Sequence, residues 1–165
     1  MVVINYQEKV QGHYAKSPVC NVHIIYMKGE KIIRCSFDFD GTLSEERVQI
    51  YARELIARGV EVWIVTSRFE NAGKYNEFFN ESLQISYDHR DLEEVAEDLR
   101  IPENRIIFTN MEDKSVYLRD GDFKWHLDDD WSILRDIQSF AKTPAISVMK
   151  SGWKEKCDRL LNKIK

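Results

Sequence analysis

Two aspartates stand two positions apart in the run Asp38-Phe39-Asp40-Gly41-Thr42-Leu43, at the point where an apolar stretch from Ile32 to Phe37 abruptly stops. An apolar run of that length reads as a buried strand. The crevice beyond the carboxyl ends of parallel strands is where open α/β sheets bind ligands. Two acids placed there can divide labour, one attacking as a nucleophile while the other moves a proton. Side chains at i and i+2 of an extended segment point the same way, so Asp38 and Asp40 face one ligand if strand geometry persists through them. Gly41 permits a tight turn or a close backbone approach. The same residue types also build ordinary solvated turns, so the pair gains weight only from the rest of the chain.

Three further features follow in order. The apolar run Val60-Glu61-Val62-Trp63-Ile64-Val65 ends in Thr66-Ser67-Arg68, whose hydroxyls, backbone N–H groups and guanidinium suit phosphate oxygens. Lys114 lies past the run Arg105-Ile106-Ile107-Phe108-Thr109, near the start of a short helical pattern. Asp128-Asp129-Asp130 directly follows Trp125-His126-Leu127. Taken singly these read as a helix cap, a solvated lysine and a charged turn. Each, however, follows an apolar run, as Asp38 does.

Together the four resemble the motifs of the haloacid dehalogenase superfamily of phosphotransferases: Asp-x-Asp-x-Thr or Val, an apolar run ending in Thr or Ser, a lysine, and a paired acid. The likeness runs from Ile32 to Trp131, and Asp38-Phe39-Asp40-Gly41-Thr42 is its specific part. The resemblance implies a three-layer, Rossmann-like α/β fold. It implies Asp38 as the nucleophile that forms an aspartyl-phosphate and Asp40 as the acid/base. It further implies Thr66 as a phosphoryl ligand with Ser67 and Arg68 beside it, and Lys114 as the neutraliser of nucleophile and phosphate. A Mg²⁺ ion would be held by Asp38, the Asp40 backbone carbonyl, Asp128 and Asp129. A second acid followed by Gly-Thr resembles the phosphatases of the superfamily, so the implied activity is phosphate-monoester hydrolysis. A phosphotransferase, or a fold kept as a binding or regulatory module without turnover, are the alternatives.

The chemistry needs such a set. A phosphate monoester carries nearly two negative charges at neutral pH, and at about 4 Å each unit-charge pair with a carboxylate costs on the order of 4 kcal/mol at an effective dielectric near 20. Attack by Asp38 is therefore repelled unless cations intervene, and Lys114 alone cannot balance three carboxylates and a dianion. Mg²⁺ prefers hard oxygen donors, whereas zinc would call for Cys or His. Within the three consecutive acids, Asp128 and Asp129 are assigned to the metal and Asp130 to the cap of a helix beginning near Trp131.

At 165 residues, 43% hydrophobic and 32% charged, the chain has the composition of a single globular domain. A net charge of −4 argues against a protein coated by nucleic acid, though not against a local basic groove. Cys20, Cys35 and Cys157 form an odd set without ligand spacing, which favours a reducing compartment. No stretch suits a membrane span and Met1 to Lys16 lacks a signal-peptide core, so a cytoplasmic protein with no membrane partner is expected.

Strand-like and helix-like segments alternate, which argues for a mainly parallel sheet with helices on both faces. Ser44 is placed to cap a helix carrying Val48, Ala52, Leu55 and Ile56 and ended by Gly59. Asp91 and Glu94 make a capping-box-like start for another. Val19 to Lys28 and Lys31 to Phe37, around Gly29-Glu30, read as a hairpin extension to the domain. One helix fills the interval from Asp40 to Thr66, which leaves no room for a cap domain, while residues 69–100 allow a small flap. Capless members of the superfamily tend to act on large substrates, or to borrow cover from another subunit of a homo-oligomer. The substrate classes are a phosphate-ended polynucleotide, as in the phosphatase domain of polynucleotide kinases, a nucleotide, a sugar phosphate or a phosphoprotein. His126 is read as structural, the four tryptophans as core and rim, and Lys74, His89 and Arg90, on position alone, as lining an entry beside the site.

Overall fold

The computed structural model describes residues 32–79, 88–120 and 122–162. Each apolar run becomes a strand: β1 (Arg34–Phe37), β2 (Glu61–Thr66), β3 (Ile106–Phe108), β4 (His126–Asp128) and β5 (Ala145–Ser147). They form one parallel sheet in the order β3-β2-β1-β4-β5, a Rossmann-like arrangement. The chain steps outward from β1 to β3 and then returns to the other side of β1. The direction of winding thus reverses between β1 and β4, and at such a switch point a crevice opens outside the carboxyl ends of the strands.

The helices between strands are α1 (Glu46–Ala57), α2 (Ala72–Phe79), α3 (Arg90–Asp98), α4 (Lys114–Tyr117) and α5 (Trp131–Phe140), and α6 (Trp153–Leu161) follows β5. Period-two alternation along β2 divides the core in two. Val62 and Ile64 join Cys35, Phe37, Leu127 and Ile146 under the apolar stripes of α1, α3 and α6. Val65 instead meets Leu134 and Ile137 of α5 and Leu118 beside α4, with Trp63 and Ile107 packed against them. The stripes follow the helical repeat: Val48, Ala52 and Leu55 in α1, Leu92 and Ala96 in α3. Trp125, fully buried, stands edge-on to Phe37 with ring centroids 5.1 Å apart and stacks on Tyr51, so the β1–β4 seam is backed by aromatic rings. Trp63 and Trp153 are half-buried, while Trp131 is 68% exposed.

Two capping expectations fail for one reason, a better partner elsewhere. Ser44 does not cap α1; its hydroxyl accepts the Gly41 N–H at 3.1 Å and Glu45 occupies the cap position. Asp91 lies inside α3, whose cap position is His89, and its carboxylate is taken by Arg68. The last strand is also shorter than the run Ala145 to Met149, because Val148 and Met149 form a turn. The expected hairpin falls mostly outside the described residues, as does the 80–87 part of the flap region. Among the described residues no helix is long and apolar enough to cross a membrane.

Candidate active site

Strand register brings the acids together. Phe37 of β1 pairs with Leu127 of β4, and the Asp38 N–H donates to the Leu127 carbonyl at 2.8 Å, so Asp38 and Asp128 sit side by side at the carboxyl edge. Phe37 also pairs with Ile64 of β2, which places Thr66 at the same edge. Lys114 enters from the first turn of α4, and its Nζ donates to Asp38 Oδ1 at 2.5 Å and to Asp128 Oδ2 at 2.7 Å. All three side chains are buried, Asp128 completely. One carboxylate oxygen each from Asp38, Asp128 and Asp129 lies within 4.8 Å of the others, close enough to share a cation.

Burial and like charge set the protonation of this group. Desolvation pushes Asp38 up to about 7, aided by the neighbouring Asp128 charge and opposed by Lys114. Burial acts upward on Asp128 too, but its hydrogen bond from His126 and the Lys114 charge more than offset it, leaving Asp128 at about 2. Two carboxylates sharing one ammonium are therefore unequal, and Asp38 carries the strain.

The loop after β1 explains why Asp40 does not share this environment. The strand ends at Phe37, and Asp40 (φ −67°, ψ 127°) and Gly41 (φ 69°, ψ −2°) take the central positions of a type II turn, where the second residue needs positive φ. Gly41 is required twice over: a Cβ there would come within 2.6 Å of Asp129 Oδ2. Asp38 faces inward to Lys114, whereas Asp40 projects outward to Arg68. The Arg68 Nε and Nη2 donate to the two Asp40 oxygens at 2.9 and 2.6 Å, while Nη1 and Nη2 donate to Asp91 at 2.7 Å each. The guanidinium also lies 4.7 Å over the Phe39 ring. The expectation that strand geometry aligns Asp38 with Asp40 is thus corrected by the turn, and Asp40 contributes no carboxylate to the acid group that could hold a metal.

The remaining sequence-selected residues fall as follows. Thr66 is fully buried at the end of β2, its Oγ1 accepting the Arg68 N–H at 3.3 Å. Ser67 is half-buried in the next loop and its carbonyl accepts the Met111 N–H. Asp129 receives the Thr42 hydroxyl at 3.4 Å. Asp130 caps α5: its Oδ1 accepts the Ser132 N–H at 2.7 Å and the Ser132 hydroxyl, and these bonds hold its carboxyl below the usual range. We expect Asp130→Ala to lower stability by about 1 kcal/mol in denaturant unfolding, and Mg²⁺ titration of that variant to match the wild type. A metal defect there would move the ligand assignment to the far end of the acid run.

Three participants were not identified from sequence. His126 is wholly buried, with Nε2 3.1 Å from Asp128 Oδ2 and Nδ1 3.0 Å from Ser36 Oγ. Burial lowers its pKa. Alternation along β4 was the available signal, since a residue opposite Leu127 shares its face with Asp128. Ser36 is its register partner on β1. Asp91 carries no local mark as an Arg68 partner, because the two lie 23 residues apart, at the end of β2 and in α3. No protein-family model matches the chain, and a search of curated proteins finds no match.

Proposed function

We propose that this chain is a Mg²⁺-dependent phosphatase of the haloacid dehalogenase type, hydrolysing phosphate monoesters through an aspartyl-phosphate on Asp38. The observation that carries the reading is the buried Lys114 ammonium bridging Asp38 and Asp128 at the switch point, with Asp129 beside them. A lysine between two buried acids is costly as architecture alone. It makes sense where a carboxylate nucleophile must meet an incoming anion and a buried cation offsets their repulsion.

The donor set fits Mg²⁺: only carboxylate oxygens converge, from Asp38, Asp128 and Asp129, with no Cys among them. Lys114 engages one oxygen of Asp38 and one of Asp128. Bound there, Mg²⁺ supplies the charge neutralisation that phosphoryl transfer demands. An Asp38 oxygen attacks phosphorus and the ester oxygen departs with a proton from Asp40. Water then attacks the acyl phosphate, giving its proton to Asp40 and returning Asp38 and inorganic phosphate. Thr66 holds a phosphoryl oxygen, and Lys114 lowers the charge on the nucleophile. Arg68 gives four hydrogen bonds to Asp40 and Asp91, so its first role in this scheme is to place Asp40 at the rim.

The test is turnover of p-nitrophenyl phosphate and a panel of phosphate esters, including 3′- and 5′-phosphorylated oligonucleotides, in Mg²⁺ and in EDTA. Turnover confined to Mg²⁺ is expected, and inactivity on every ester would overturn the reading. Product analysis with alcohol acceptors separates hydrolysis from phosphoryl transfer. Asp40→Asn gives a finer check. With a good leaving group the phosphoenzyme still forms, but loss of the general base should slow its breakdown roughly 10²- to 10⁴-fold, so an aspartyl-phosphate on Asp38 accumulates and is seen by mass spectrometry after acid quench. Wild-type turnover in that variant would remove Asp40 from the mechanism.

A further inference from the structure

We infer that His126, backed by Ser36, is a positioning residue that fixes the Asp128 carboxylate for cation binding, an inference that rests on the phosphatase reading. Asp128 uses Oδ2 for two donors, Lys114 Nζ at 2.7 Å and His126 Nε2 at 3.1 Å, and Oδ1 for the Asp130 N–H at 2.9 Å. Of these, only His126 approaches from the carboxylate's own strand, two residues away on the same face. An ionised carboxylate has no hydrogen to give, so Nε2 carries one and donates it. Ser36 meets the other ring nitrogen with a hydroxyl, which can donate or accept. It is paired in register with His126 across the seam, so the backbone sets that contact.

The ring is therefore held at both nitrogens, with its side chain wholly buried. A carboxylate torsion is broad by itself, and Lys114, at the end of a long flexible stem and shared with Asp38, does not define it. The Asp130 N–H restrains Oδ1 and His126 restrains Oδ2. Without His126 only Lys114 holds Oδ2, and it draws that oxygen toward itself and away from the place beside Asp38 and Asp129. Partners that orient metal ligands in this way typically contribute about 10- to 100-fold in metal affinity.

The experiment is calorimetric titration of the whole chain with Mg²⁺ alone, without substrate, in wild type, His126→Leu and His126→Gln, together with ¹⁵N spectra of the histidine ring in the wild type. We expect the Mg²⁺ dissociation constant to rise about 10- to 100-fold in His126→Leu. His126→Gln, whose amide nitrogen can reach the place of Nε2, should recover most of that loss, as a role in filling space alone would not require. The wild-type spectra should show hydrogen on Nε2 before and after Mg²⁺ addition. Equal Mg²⁺ binding by wild type and His126→Leu, or a ring without hydrogen on Nε2, would overturn this inference and leave the phosphatase reading standing. If His126→Leu does not fold, a His126→Gln protein that binds as weakly as Asp128→Ala also overturns it. No Mg²⁺ binding by the wild type would overturn both.

Discussion

Asp38→Asn should hydrolyse no p-nitrophenyl phosphate above background at any Mg²⁺ concentration, and its metal-free form should melt higher than the wild type above pH 7. The first effect follows from chemistry: an amide does not attack phosphorus, and uncatalysed monoester hydrolysis is among the slowest reactions known, so the loss reaches many powers of ten. The second follows from burial. The folded pKa of Asp38, about 7, lies above its value near 4 in the unfolded chain, so the native state holds that proton more tightly. Its contribution to stability is complete below about pH 4 and is lost as the pH rises through about 7, where the buried carboxylate must ionise beside Asp128. A neutral amide removes that burden. At about 1.4 kcal/mol per pK unit the full burden is on the order of 4 kcal/mol, and we expect the variant to recover about half. Thermal melts in EDTA at pH 5 and pH 8 check this, with a small gain at pH 5 and the full gain at pH 8. Residual Mg²⁺-dependent turnover well above background would falsify the nucleophile assignment.

Lys114→Met should be the most damaging single change to the fold. Methionine matches the stem of lysine but leaves Asp38 and Asp128 buried, adjacent and without their shared cation. Removing one partner from a buried ionic group typically costs about 3 to 5 kcal/mol, a large share of an ordinary domain stability of about 5 to 15 kcal/mol. The loss should shrink as the pH falls, because Asp38, which without the Lys114 charge holds its proton to higher pH than in the wild type, becomes neutral and the repulsion disappears. Mg²⁺ should restore part of the stability but not the activity, since a cation at the acids does not replace the ammonium on the nucleophile. Denaturant titrations at two pH values, with and without Mg²⁺, separate these contributions. A variant as stable as wild type in EDTA at pH 8 would show that Lys114 does not offset the buried charge.

The parts of the fold legible in the sequence were those governed by short-range pattern. Val62 and Ile64 alternate with Trp63 and Val65 because each side of β2 meets a different helix layer, and continuous apolar runs are what strands covered on both faces require. The placing of Asp38, Thr66 and Asp128 at strand ends, and of Lys114 at a helix start, followed from where those runs stop. Legibility failed where a side chain chose a distant partner over a local one. Asp91 has capping chemistry and does not cap, because Arg68, 23 residues away, takes its carboxylate; Ser44 does not cap either, because its hydroxyl accepts the Gly41 N–H of the preceding turn. Asp40 departs from Asp38 because a single glycine converts an extended segment into a turn. His126 was read as structural from its alternation with Leu127, but that alternation did not name its partners, Asp128 and Ser36.

The seam between β1 and β4 also governs how the molecule must come into being. β1 can pair with β2 as soon as α1 folds back, but β4 cannot dock until the whole excursion through β3 and α4 has been made. Long-range parallel pairings of this kind close slowly. Asp38 and Asp128 meet only across this seam, with Lys114 buried between them. A form in which β4 has not docked lacks the acid crevice, so Mg²⁺ binding regained on refolding should appear no earlier than the β1–β4 pairing.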